Sequence, residues 1–403
     1  MSWRTKSERS WGELGMKSEW TKKKLSDIAD FNPRETIKKG AIAKKIPMDV
    51  LRPFYRDIPY YVEECFSGGT KFRNGDTIMA RITPCLENGK TAQVSILNDG
   101  EVGFGSTEYI VFRAKEGIAD KDYLYYLVCS PEVREPAIKS MVGSSGRQRV
   151  QTEVVKNLEI YVPPLVEQEK IGSFLKTFDD KIALNDRINK NLEQQAKTLY
   201  KDWFFNFSPF SSDSNLPDGW RLGTVGDIIQ LHDSKRVPLS GAERDKMAKV
   251  YPYYGATSLM DYVDNYLFDG IYLLLGEDGT VVDSLGFPIL QYVYGQFWVN
   301  NHAHIITGKK CFSVEELYLF FSLTNIKSIV TGAVQQKVSQ HNLKKVPAII
   351  PSKEALGAFD EIIQPIFAQI RNLRDENVNL SQLRDTLLPK LMSGELDVSG
   401  IDL

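Results

Sequence analysis

The chain is a tandem duplication of one unit of about 190 residues, and this feature limits the possible folds more than any other. Matching residues recur at an offset that shrinks from 200 to 188: Trp20 and Asp27 as Trp220 and Asp227, Asn74-Gly75 as Asp269-Gly270, and Val150, Lys156 and Pro163 as Val338, Lys344 and Pro351. A shrinking offset indicates that the second copy has lost loop residues from the same scaffold. Solenoid repeats span only about 20 to 50 residues, so each copy here is predicted to be a domain.

The composition is that of an ordinary globular protein and gives no overall signal for nucleic acid. At 403 residues, the chain is long enough for two or three domains, each with its own core. Hydrophobic residues make up 42% and charged residues 25%, which is usual for a soluble protein. Because the net charge is −2, any contact with DNA has to rest on local basic patches.

Cysteine spacing and hydropathy indicate the compartment. The four cysteines show no CxxC spacing, so we expect buried free thiols in a reducing cytoplasm rather than a zinc site. No apolar run approaches the roughly 18 residues of a membrane span, and the first residues lack the apolar core of a signal peptide. We therefore expect a cytoplasmic protein that does not contact a membrane.

Short strands separated by turn residues predict a mixed, strand-rich domain in each copy. A helix over Lys121 to Cys129 follows the strands of the first copy, and its counterpart in the second copy covers Glu315 to Leu323. The predicted strands lie around Tyr60 to Val62, at Thr77 to Ala80, Thr91 to Ile96 and Tyr109 to Phe112, and then at Tyr272 to Leu275, Gln291 to Tyr294 and Ile305-Ile306.

A long amphipathic helix follows the last strand of each copy. Mostly apolar residues recur at alternating spacings of four and three, which is the period of a coiled coil. The first seam is Ile171, Leu175, Phe178, Ile182, Asn185, Asn189, Leu192, Ala196, Leu199 and Trp203, and the second is Phe359, Ile363, Ile366, Ile370, Leu373, Asn377, Leu380, Arg384, Leu387 and Leu391. At roughly 1.5 Å per residue, the first seam predicts a rod of about 50 Å.

Connection lengths predict how the two helices lie. The first helix enters the second copy through about a dozen residues, and the second helix follows directly after Pro351. The helices are therefore expected to be antiparallel, with one strand-rich domain at each end. Centring them on each other places Asn185 opposite Asn377, where a buried Asn pair fixes the register. The alternative is that both Asn side chains are solvated where the seam loosens.

The predicted fold class is α+β, with two strand-rich recognition domains, an internal pseudo-twofold repeat and a long antiparallel two-helix coiled coil as spacer. The predicted boundaries are 1–17 for a disordered N-terminal extension, 18–164 and 208–352 for the two domains, 165–207 and 353–397 for the two spacer helices, and 398–403 for a tail. Two similar domains held apart by a rigid spacer can contact two places on one long target. Half-sites on one face of duplex DNA lie about 34–36 Å apart, within the reach of such a rod.

Several segments, in their order within the duplicated frame, resemble the specificity subunit of type I restriction-modification enzymes. They are Asn88 to Ala92, Ser106 to Ile110, Met141 to Val150, Val162 to Ile171, Leu199 to Phe207, Phe297 to His304 and Leu387 to Leu396. The resemblance spans about Lys17 to Leu396. The second copy departs from it where Pro351 to Ala355 replaces the Pro-Pro-Leu-x-Glu-Gln start of the first helix, so contacts with partners at the two ends need not be equal.

The resemblance implies a subunit that is not itself an enzyme. It implies recognition of a bipartite, asymmetric site on double-stranded DNA through two target-recognition domains. It also implies recruitment of two methyltransferase subunits and two restriction subunits. No cofactor is expected on this chain, since S-adenosylmethionine, ATP and magnesium are expected on the partner subunits only.

Two equivalent Gly-rich loops, Gly143 to Arg149 and Gly332 to Lys337, hold the first candidates for DNA contact. Gly and Ser permit close approach of the backbone, Arg and Gln can bond guanine or adenine edges, and Lys or Arg can neutralise phosphates. The candidates in these loops are Arg147, Gln148, Arg149, Gln336 and Lys337. The alternative is a solvated loop at the start of a helix.

Further candidates are Arg81, which is predicted to end a strand, and Lys90, which follows the Asn88-Gly89 turn. A basic and aromatic cluster in the second copy adds Lys235, Arg236, Tyr254 and Tyr253, the tyrosines being weaker candidates. Ordinary surface charge, or a core position for the tyrosines, is the alternative. His302 and His304 are predicted to alternate on one strand face. Because no carboxylate or cysteine lies at metal-ligand spacing, we expect a DNA contact for one and a core position for the other rather than zinc.

The far end of the first helix carries more aromatic bulk than a two-helix seam can bury. We predict that partner helices cover these residues, together with two leucines of the second helix. The residues are Tyr200, Trp203, Phe204, Leu388 and Leu391. The alternative is docking against the second strand-rich domain, and both can hold.

Two other classes of function compete with DNA recognition. A methyltransferase needs an Asp/Asn-Pro-Pro-aromatic motif, which Val162 to Leu165 does not supply, and Gly103 to Gly105 is only a weak cofactor match. A metal nuclease needs clustered carboxylates with a lysine, and neither Glu277-Asp278 nor Glu87 near Lys90 makes such a cluster. A protein-binding coiled-coil scaffold is the second rival, and DNA binding that weakens steeply with salt would exclude it.

Overall fold

The chain folds into two compact units. Unit 1 comprises Met1–Asp186 with Arg374–Leu403, and unit 2 comprises Arg187–Leu373. The computed structural model describes residues 19–144, 146–210, 216–332 and 335–398. The predicted N-terminal extension, 1–17, and residues 399–403 of the predicted tail lie outside the described residues.

The strands of unit 1 form one two-stranded sheet and two four-stranded sheets among the described residues. Its strands are β1 (Thr21–Lys24), β2 (Ala29–Phe31), β3 (Ile42–Ile46), β4 (Val62–Cys65), β5 (Thr70–Phe72), β6 (Thr77–Ala80), β7 (Thr91–Gln93), β8 (Gly103–Gly105), β9 (Tyr109–Ala114) and β10 (Glu159–Val162). Its helices are α1 (Leu25–Ile28), α2 (Lys121–Cys129), α3 (Pro131–Lys139), α4 (Thr152–Lys156) and the start of the long helix α5 (Leu165–Phe204). The sheets run β1-β10, β2-β9-β6-β7 and β4-β3-β8-β5.

Unit 2 has the same kind of construction. Its strands are β11 (Arg221–Thr224), β12 (Ile229–Leu231), β13 (Tyr251–Tyr254), β14 (Leu259–Val263), β15 (Phe268–Gly276), β16 (Leu290–Val299), β17 (Ala303–Gly308) and β18 (Pro347–Ile350). Its helices are α6 (Val225–Ile228), α7 (Gly241–Arg244), α8 (Val314–Leu323), α9 (Gln340–Lys344) and the start of the long helix α10 (Lys353–Met392), with 3-10 turns at Asp233–Lys235 and Lys327–Ile329. The sheets run β11-β18 and β12-β17-β15-β16-β13-β14.

The repeat is visible in the backbone as well as in the sequence. β1 pairs with β10, and β11 with β18, in antiparallel sheets of corresponding register. Each first strand leads into a one-turn helix, α1 or α6. There the Asp27 carboxylate accepts the Lys24 N–H at 2.8 Å, and the Asp227 carboxylate accepts the Thr224 N–H at 3.0 Å. The recurring aspartate therefore caps the start of a helix in both copies.

The predicted α+β class is confirmed. Each predicted strand corresponds to an observed strand, most of them with different ends, but β1–β3, β5, β8, β10–β14 and β18 were not predicted. β6 and α2 have the predicted bounds, whereas β7 ends at Gln93, where its ladder with β6 ends. β4 begins only at Val62. Helix α3 was not predicted, because its prolines, Pro131 and Pro136, are helix-breaking signals. Pro131 stands in the first turn, where its missing N–H has no helical partner to lose.

Two expectations about cysteines and membranes can be compared with the structure. The four cysteines are free, as expected, but Cys65 and Cys311 are exposed and Cys85 and Cys129 are only half-buried. Cys65 ends β4, an edge strand whose residues are all exposed, and Cys311 lies in a turn. In the part of the chain that the structure describes, no helix combines the length and the apolar character needed to cross a bilayer.

The long helices pack along the predicted seam, and each helix is divided between the units. Every predicted seam position of α5 and α10 is buried or half-buried. In unit 1, Ile171 and Leu391 belong to one core cluster. In unit 2, Ala196 and Phe359 belong to another. Both helices therefore contribute to the core of each unit.

Within unit 1, the two central asparagines meet as predicted. Asn185 Nδ2 donates to Asn377 Oδ1 at 2.9 Å and to Glu376 Oε2 at 2.8 Å. Asn185 is 0% exposed and Asn377 is 7% exposed, so the alternative of solvated side chains is wrong. Asp179, which precedes Asn185 in α5, pairs with Arg384, which follows Asn377 in α10. Residue numbers therefore rise along one helix as they fall along the other. The antiparallel direction and the register are therefore confirmed within this unit.

Replacing one asparagine of the pair should cost more than replacing both. Asn185→Leu leaves Asn377 Oδ1 buried without its donor, which should lower the free energy of unfolding by about 1–3 kcal/mol. The double variant Asn185→Leu/Asn377→Leu removes both polar groups and should regain most of that loss. Urea unfolding of the full chain, followed by circular dichroism, measures the difference. A double variant that shows the sum of two single losses would contradict the pairing.

Helix α8 begins with a capping box whose acid is buried. The Ser313 N–H donates to Glu316 Oε2 at 2.8 Å, and Ser313 Oγ accepts the Glu316 N–H at 3.2 Å. Glu316 is 0% exposed, and its Oε1 has no hydrogen-bond partner among the described residues. Burial raises the pKa of Glu316 to about 8, and the charges of Asp360 and Glu315 add to the rise. The hydrogen bonds with Ser313 act in the opposite direction but are outweighed.

The protein should lose stability as the pH rises from about 4.5 to about 8. Between these pH values the folded state holds the Glu316 proton and the unfolded chain does not. The free energy of unfolding therefore falls as the pH rises. Glu316→Gln should remove this loss and exceed the wild type above pH 8 by more than about 1 kcal/mol. Thermal unfolding between pH 5 and pH 9 measures both proteins.

A matched control is Glu243→Gln, because Glu243 holds the same capping position in α7 but is exposed. Its hydrogen bond with Ser240 lowers the pKa of Glu243, so it stays ionised across this range and its replacement should not alter the pH profile. Parallel profiles for the wild type and Glu316→Gln would refute the assignment.

Candidate nucleic-acid interface

Two short hairpins occupy equivalent places in the two units, and they are termed fingers here. Finger 1 is residues 142–149 and finger 2 is residues 331–337, of which 145 and 333–334 lie outside the described part of the chain. Val142 and Arg149 exchange main-chain hydrogen bonds of 3.0 and 2.8 Å. Thr331 and Lys337 exchange bonds of 2.9 and 2.7 Å. The fingers contain the two Gly-rich loops that were predicted to be equivalent.

Main-chain hydrogen bonds attach each finger to the turn after an inner strand of a sheet. This strand is β6 in unit 1 and β15 in unit 2. The equivalent main-chain bonds are Val150 N to Arg81 O (2.8 Å) and Val338 N to Glu277 O (2.8 Å), then Thr83 N to Gln148 O (3.0 Å) and Gly279 N to Gln336 O (3.0 Å). The bonds match in partners and in length. One backbone scaffold therefore presents Gln148 and Gln336, and the cation after each, in the same way.

Glycines are required at the start of both fingers. Gly143 has φ +137° and Gly332 has φ +87°, a region that residues with a Cβ rarely adopt. A Cβ at Gly143 would lie 2.9 Å from the Arg147 carbonyl oxygen, and a Cβ at Gly332 would collide with the Gln335 carbonyl oxygen. The tight reversal of each hairpin thus depends on the absence of a side chain at these two positions.

Finger 1 carries two exposed arginines, of which Arg149 is paired with the carboxylate of Glu108. Arg147 is exposed and Gln148 is half-buried. Arg149 Nε lies 2.9 and 3.0 Å from the two carboxylate oxygens of Glu108, and its Nη2 lies 2.6 Å from Oε1. The hydrogen bond from Arg149 holds the pKa of Glu108 below its ordinary value. The Arg149 side chain nevertheless remains 46% exposed, so its outer edge is open to a ligand.

Finger 2 carries a cation that is held less firmly. Gln336 is half-buried and Lys337 is exposed, with its Nζ 3.6 Å from Glu277 Oε1. The other oxygen of Glu277 accepts a hydrogen bond from Arg236 Nη1 at 2.6 Å. Lys337 therefore shares its carboxylate with a second cation, whereas Arg149 binds its carboxylate through two nitrogens.

A buried polar cluster supports finger 2 from the side of the sheet. The His304 Nε2–H donates to the Val338 carbonyl at 2.7 Å, and His304 Nδ1 lies 2.6 Å from Asp233 Oδ2. Burial raises the pKa of the Asp233 carboxyl, but the hydrogen bond with His304 and the charge of Arg236 contribute to holding it below its ordinary value. Arg236 bonds both this cluster and Glu277, so its guanidinium has a structural role.

The prediction for the two histidines is partly wrong. His302 lies in the turn before β17, so the two side chains do not alternate along one strand. Its Nδ1 lies 2.6 Å from Asp278 Oδ1, and its side chain is 45% exposed. His304 is fully buried and is the core histidine that was expected for one of the pair.

Two carboxylates and a histidine come together in unit 2, contrary to the expectation that no carboxylate lies near these histidines. The Asp233, Glu277 and His304 ligand atoms all lie within 4.8 Å of one another, although these residues are far apart in sequence. Folding therefore places carboxylates beside a histidine where sequence spacing showed none. Arg236 donates to Glu277 at 2.6 Å and lies 3.7 Å from Asp233 Oδ2, so a guanidinium supplies positive charge to this cluster.

The other predicted DNA contacts differ in how far the protein already uses them. Arg81 Nη2 donates to the Val150 carbonyl at 3.2 Å, and Lys90 Nζ donates to a main-chain carbonyl at 2.9 Å. Lys235 is exposed, whereas Tyr254 is half-buried beside a core cluster. The proposed roles of these four residues in DNA binding stay predictions.

The aromatic end of α5 is covered by the chain's own unit 2. Tyr200 and Phe204 are each 4% exposed, Trp203 is half-buried, and all three rings contact a phenylalanine of α10. Leu388 is 8% exposed and Leu391 is 1% exposed, in the core of unit 1. Tyr200 and Phe204 also share a core cluster with residues of the second strand-rich domain, so docking against that domain, the alternative considered for the aromatic residues, is what the structure has. Contact of these five residues with a partner stays a prediction.

The carboxylates that hold the cations were missed by the sequence analysis. Glu108 lies within the segment Ser106 to Ile110 that carried part of the family resemblance, and this was the available signal. Glu277 was weighed only as a nuclease carboxylate, whereas it pairs with Arg236 and Lys337. Asp233 was not singled out, because its pairing with His304 depends on strands that meet only in the fold.

Comparison with known proteins identifies the family. Residues 17–194 and 217–382 match the type I restriction modification DNA specificity domain, with one match in each copy. These matches cover most of the chain, so the protein belongs to this family. The resemblance inferred from the sequence is confirmed.

Individual relatives are similar over most of the chain. The type I restriction enzyme MjaIX specificity subunit of Methanocaldococcus jannaschii is 27% identical over 315 residues, or 71% of each chain. The HindI specificity subunit of Haemophilus influenzae is 23% identical over 405 residues, covering 80% of this chain and 87% of that protein. The crystal structure of the type I restriction-modification S subunit from M. genitalium has the same fold, with a TM-score of 0.52, 16% identity and coverage of 94% of this chain and 96% of that one.

Replacing His304 should loosen finger 2 and leave finger 1 unchanged. His304→Ala leaves the Val338 carbonyl without its side-chain donor, a loss of about 1–3 kcal/mol for a buried acceptor. Native-state hydrogen exchange should become faster at residues 331–338 and stay constant at residues 142–150. His302→Ala is the matched control, since that ring is half-exposed. Exchange that accelerates equally in both fingers would show that the cluster does not support finger 2 in particular.

Proposed function

We propose that this chain is the sequence-reading, non-catalytic subunit of a type I restriction-modification complex, and that it binds a bipartite, asymmetric site on double-stranded DNA. The observation that carries the proposal is the pair of fingers. They share a backbone and a glutamine at the same position, but one carries Arg149 and the other Lys337. Equivalent scaffolds with different side chains are suited to two half-sites of different sequence.

Local positive charge supports contact with DNA despite the net charge of −2. Arg147, Arg149 and Lys337 are exposed on the fingers, and Lys235 is exposed at the end of the 3-10 turn that follows β12 of unit 2. Such side chains neutralise phosphates, while glutamines can bond the edge of adenine. Arg81 and Lys90 already bond main-chain carbonyls, so we assign them a supporting role and give the fingers the direct contacts.

The carboxylates that a nuclease would need have other partners here. Glu277 binds Arg236 and lies near Lys337, and Asp278 binds His302. Glu87 accepts a hydrogen bond from a threonine hydroxyl at 2.9 Å. These pairings favour recognition without catalysis on this chain. Chemistry would then reside on partners: two methyltransferase subunits and two restriction subunits, which would hold S-adenosylmethionine, ATP and magnesium in the cytoplasm.

A protein-binding scaffold is the competing function, and the salt dependence of DNA binding distinguishes the two. Phosphate contacts release counterions, so the logarithm of the affinity should fall linearly with the logarithm of the salt concentration, by about 0.9 per contact. Binding that does not respond to salt would favour the scaffold. The measurement is best made on the chain assembled with its methyltransferase subunits.

Removing one finger cation should reduce the salt slope by about one phosphate contact. Arg147→Ala or Lys337→Ala should each lower the slope by about 0.9, because one counterion fewer is released. Fluorescence anisotropy with labelled duplex at several salt concentrations gives the slope. Lys190→Ala, which removes an exposed lysine of α5, is the matched control and should leave the slope unchanged. Equal slopes in all four proteins would refute the finger contacts.

A further inference from the structure

Glu108 holds Arg149 by one edge of its guanidinium. Both carboxylate oxygens face Arg149 Nε, at 2.9 and 3.0 Å, and Oε1 also faces Nη2 at 2.6 Å. The contact is therefore side-on, through the Nε and Nη2 hydrogens. The main chain of Arg149 is fixed as well, since it bonds Val142 across the hairpin and bridges to Ile82 of the supporting turn.

The opposite edge of the same guanidinium remains available. Arginine has five N–H donors in a planar fork, and the contact with Glu108 uses two of them. Among the described residues, no hydrogen-bond partner is found for Arg149 Nη1, and the side chain is 46% exposed. The hydrogen on Nη1 and the second hydrogen on Nη2 thus form another pair of parallel donors, on a side chain that is 46% exposed.

Such a donor pair matches one base in duplex DNA. Guanine presents two acceptors, O6 and N7, side by side in the major groove, and a bidentate arginine is their usual partner. Adenine has a donor beside N7, and cytosine and thymine lack two adjacent acceptors. An arginine whose rotamer is already fixed loses less conformational entropy on binding, and its fixed donor pair cannot turn to match other acceptors.

Finger 2 lacks this arrangement although its backbone is equivalent. Its corresponding residue is Lys337, whose ammonium is a point charge without a planar pair of donors. The ammonium lies 3.6 Å from Glu277, which Arg236 also binds. The difference between the fingers is therefore chemical, and it gives the two half-sites different requirements at one position.

We propose that Arg149 reads a guanine in the half-site that unit 1 contacts, and that Glu108 is the positioning residue that orients its guanidinium. This rests on the proposed function, because it presumes that finger 1 meets DNA. Lys337 at the corresponding position contributes charge but no choice of base.

The test uses the chain assembled with its methyltransferase subunits, and it begins with the methylated sequence written by each complex. The wild type should give a bipartite sequence with a guanine at a fixed position of one half-site. Arg149→Lys keeps the charge but loses the fork, so discrimination at that guanine should fall roughly 10-fold or more while other positions stay unchanged. Lys337→Arg is the matched control, which should leave that half-site intact.

Glu108→Gln separates positioning from structural support. The variant keeps Arg149 and removes a negative charge, so overall affinity for DNA should be equal or higher. Its discrimination should fall at the same guanine as in Arg149→Lys. A purely structural role for Glu108 would instead weaken binding to all sequences together, without selecting one position.

A second measurement alters the DNA and compares the wild type with Arg149→Lys. Replacing the selected guanine by 7-deazaguanine removes the N7 acceptor, which should weaken wild-type binding roughly 10-fold but have little effect on Arg149→Lys. An unchanged recognition sequence in Arg149→Lys, or equal loss in both proteins with the analogue, would overturn the assignment. So would loss of methyltransferase binding in Arg149→Lys, which would make this surface a protein contact. A wild-type complex that writes no bipartite sequence would instead refute the proposed function on which the assignment rests.

Discussion

The fold depends on polar pairs that are buried where apolar contacts alone would let long helices slide. In unit 1, Asn185 and Asn377 bond each other inside the seam, while Asn185 Oδ1 has no partner among the described residues. An apolar seam of constant period packs nearly as well when displaced by one heptad, but a displaced asparagine loses its partner. The pair therefore lowers stability somewhat and in return excludes the other registers.

Register has consequences because it decides which side chains of the helices face the strand-rich parts. In unit 1, Arg384 of α10 pairs with Asp179 of α5, and Tyr126 of α2 donates to Asp179 at 2.6 Å. In unit 2, Arg371 of α10 pairs with Glu315 of α8 at 3.1 Å, and a tyrosine of β16 donates to the same carboxylate at 2.6 Å. Both units use an arginine, a carboxylate and a tyrosine, taken from different positions. Because a buried charge without its partner is costly, these contacts orient each sheet region on its helices.

The duplication preserved main-chain geometry and let the side chains diverge. The hairpin bonds, the bonds to the supporting turn and the glutamine are common to both fingers. The cation that follows differs, and so does its carboxylate: Glu108 precedes β9, whereas Glu277 follows β15. Glycine and the backbone ladder determine the shape of a finger, and neither constrains the residue beside it. Under the proposed function, this separation lets one scaffold serve two half-sites.

The sequence by itself determined the features that have a local or periodic signal: the duplication, the class of fold, the bounds of α2 and β6, the helical seam and the facing pair Asn185 and Asn377. The equivalence of the fingers also followed from the duplication. Only the tertiary structure decided which charges are paired and which aromatic residues are covered. Arg149 and Glu108 are 41 residues apart, and His304 and Asp233 are 71 apart. A spacing of that size carries no information on distance, because the pairing depends on which strands lie side by side in the folded sheets.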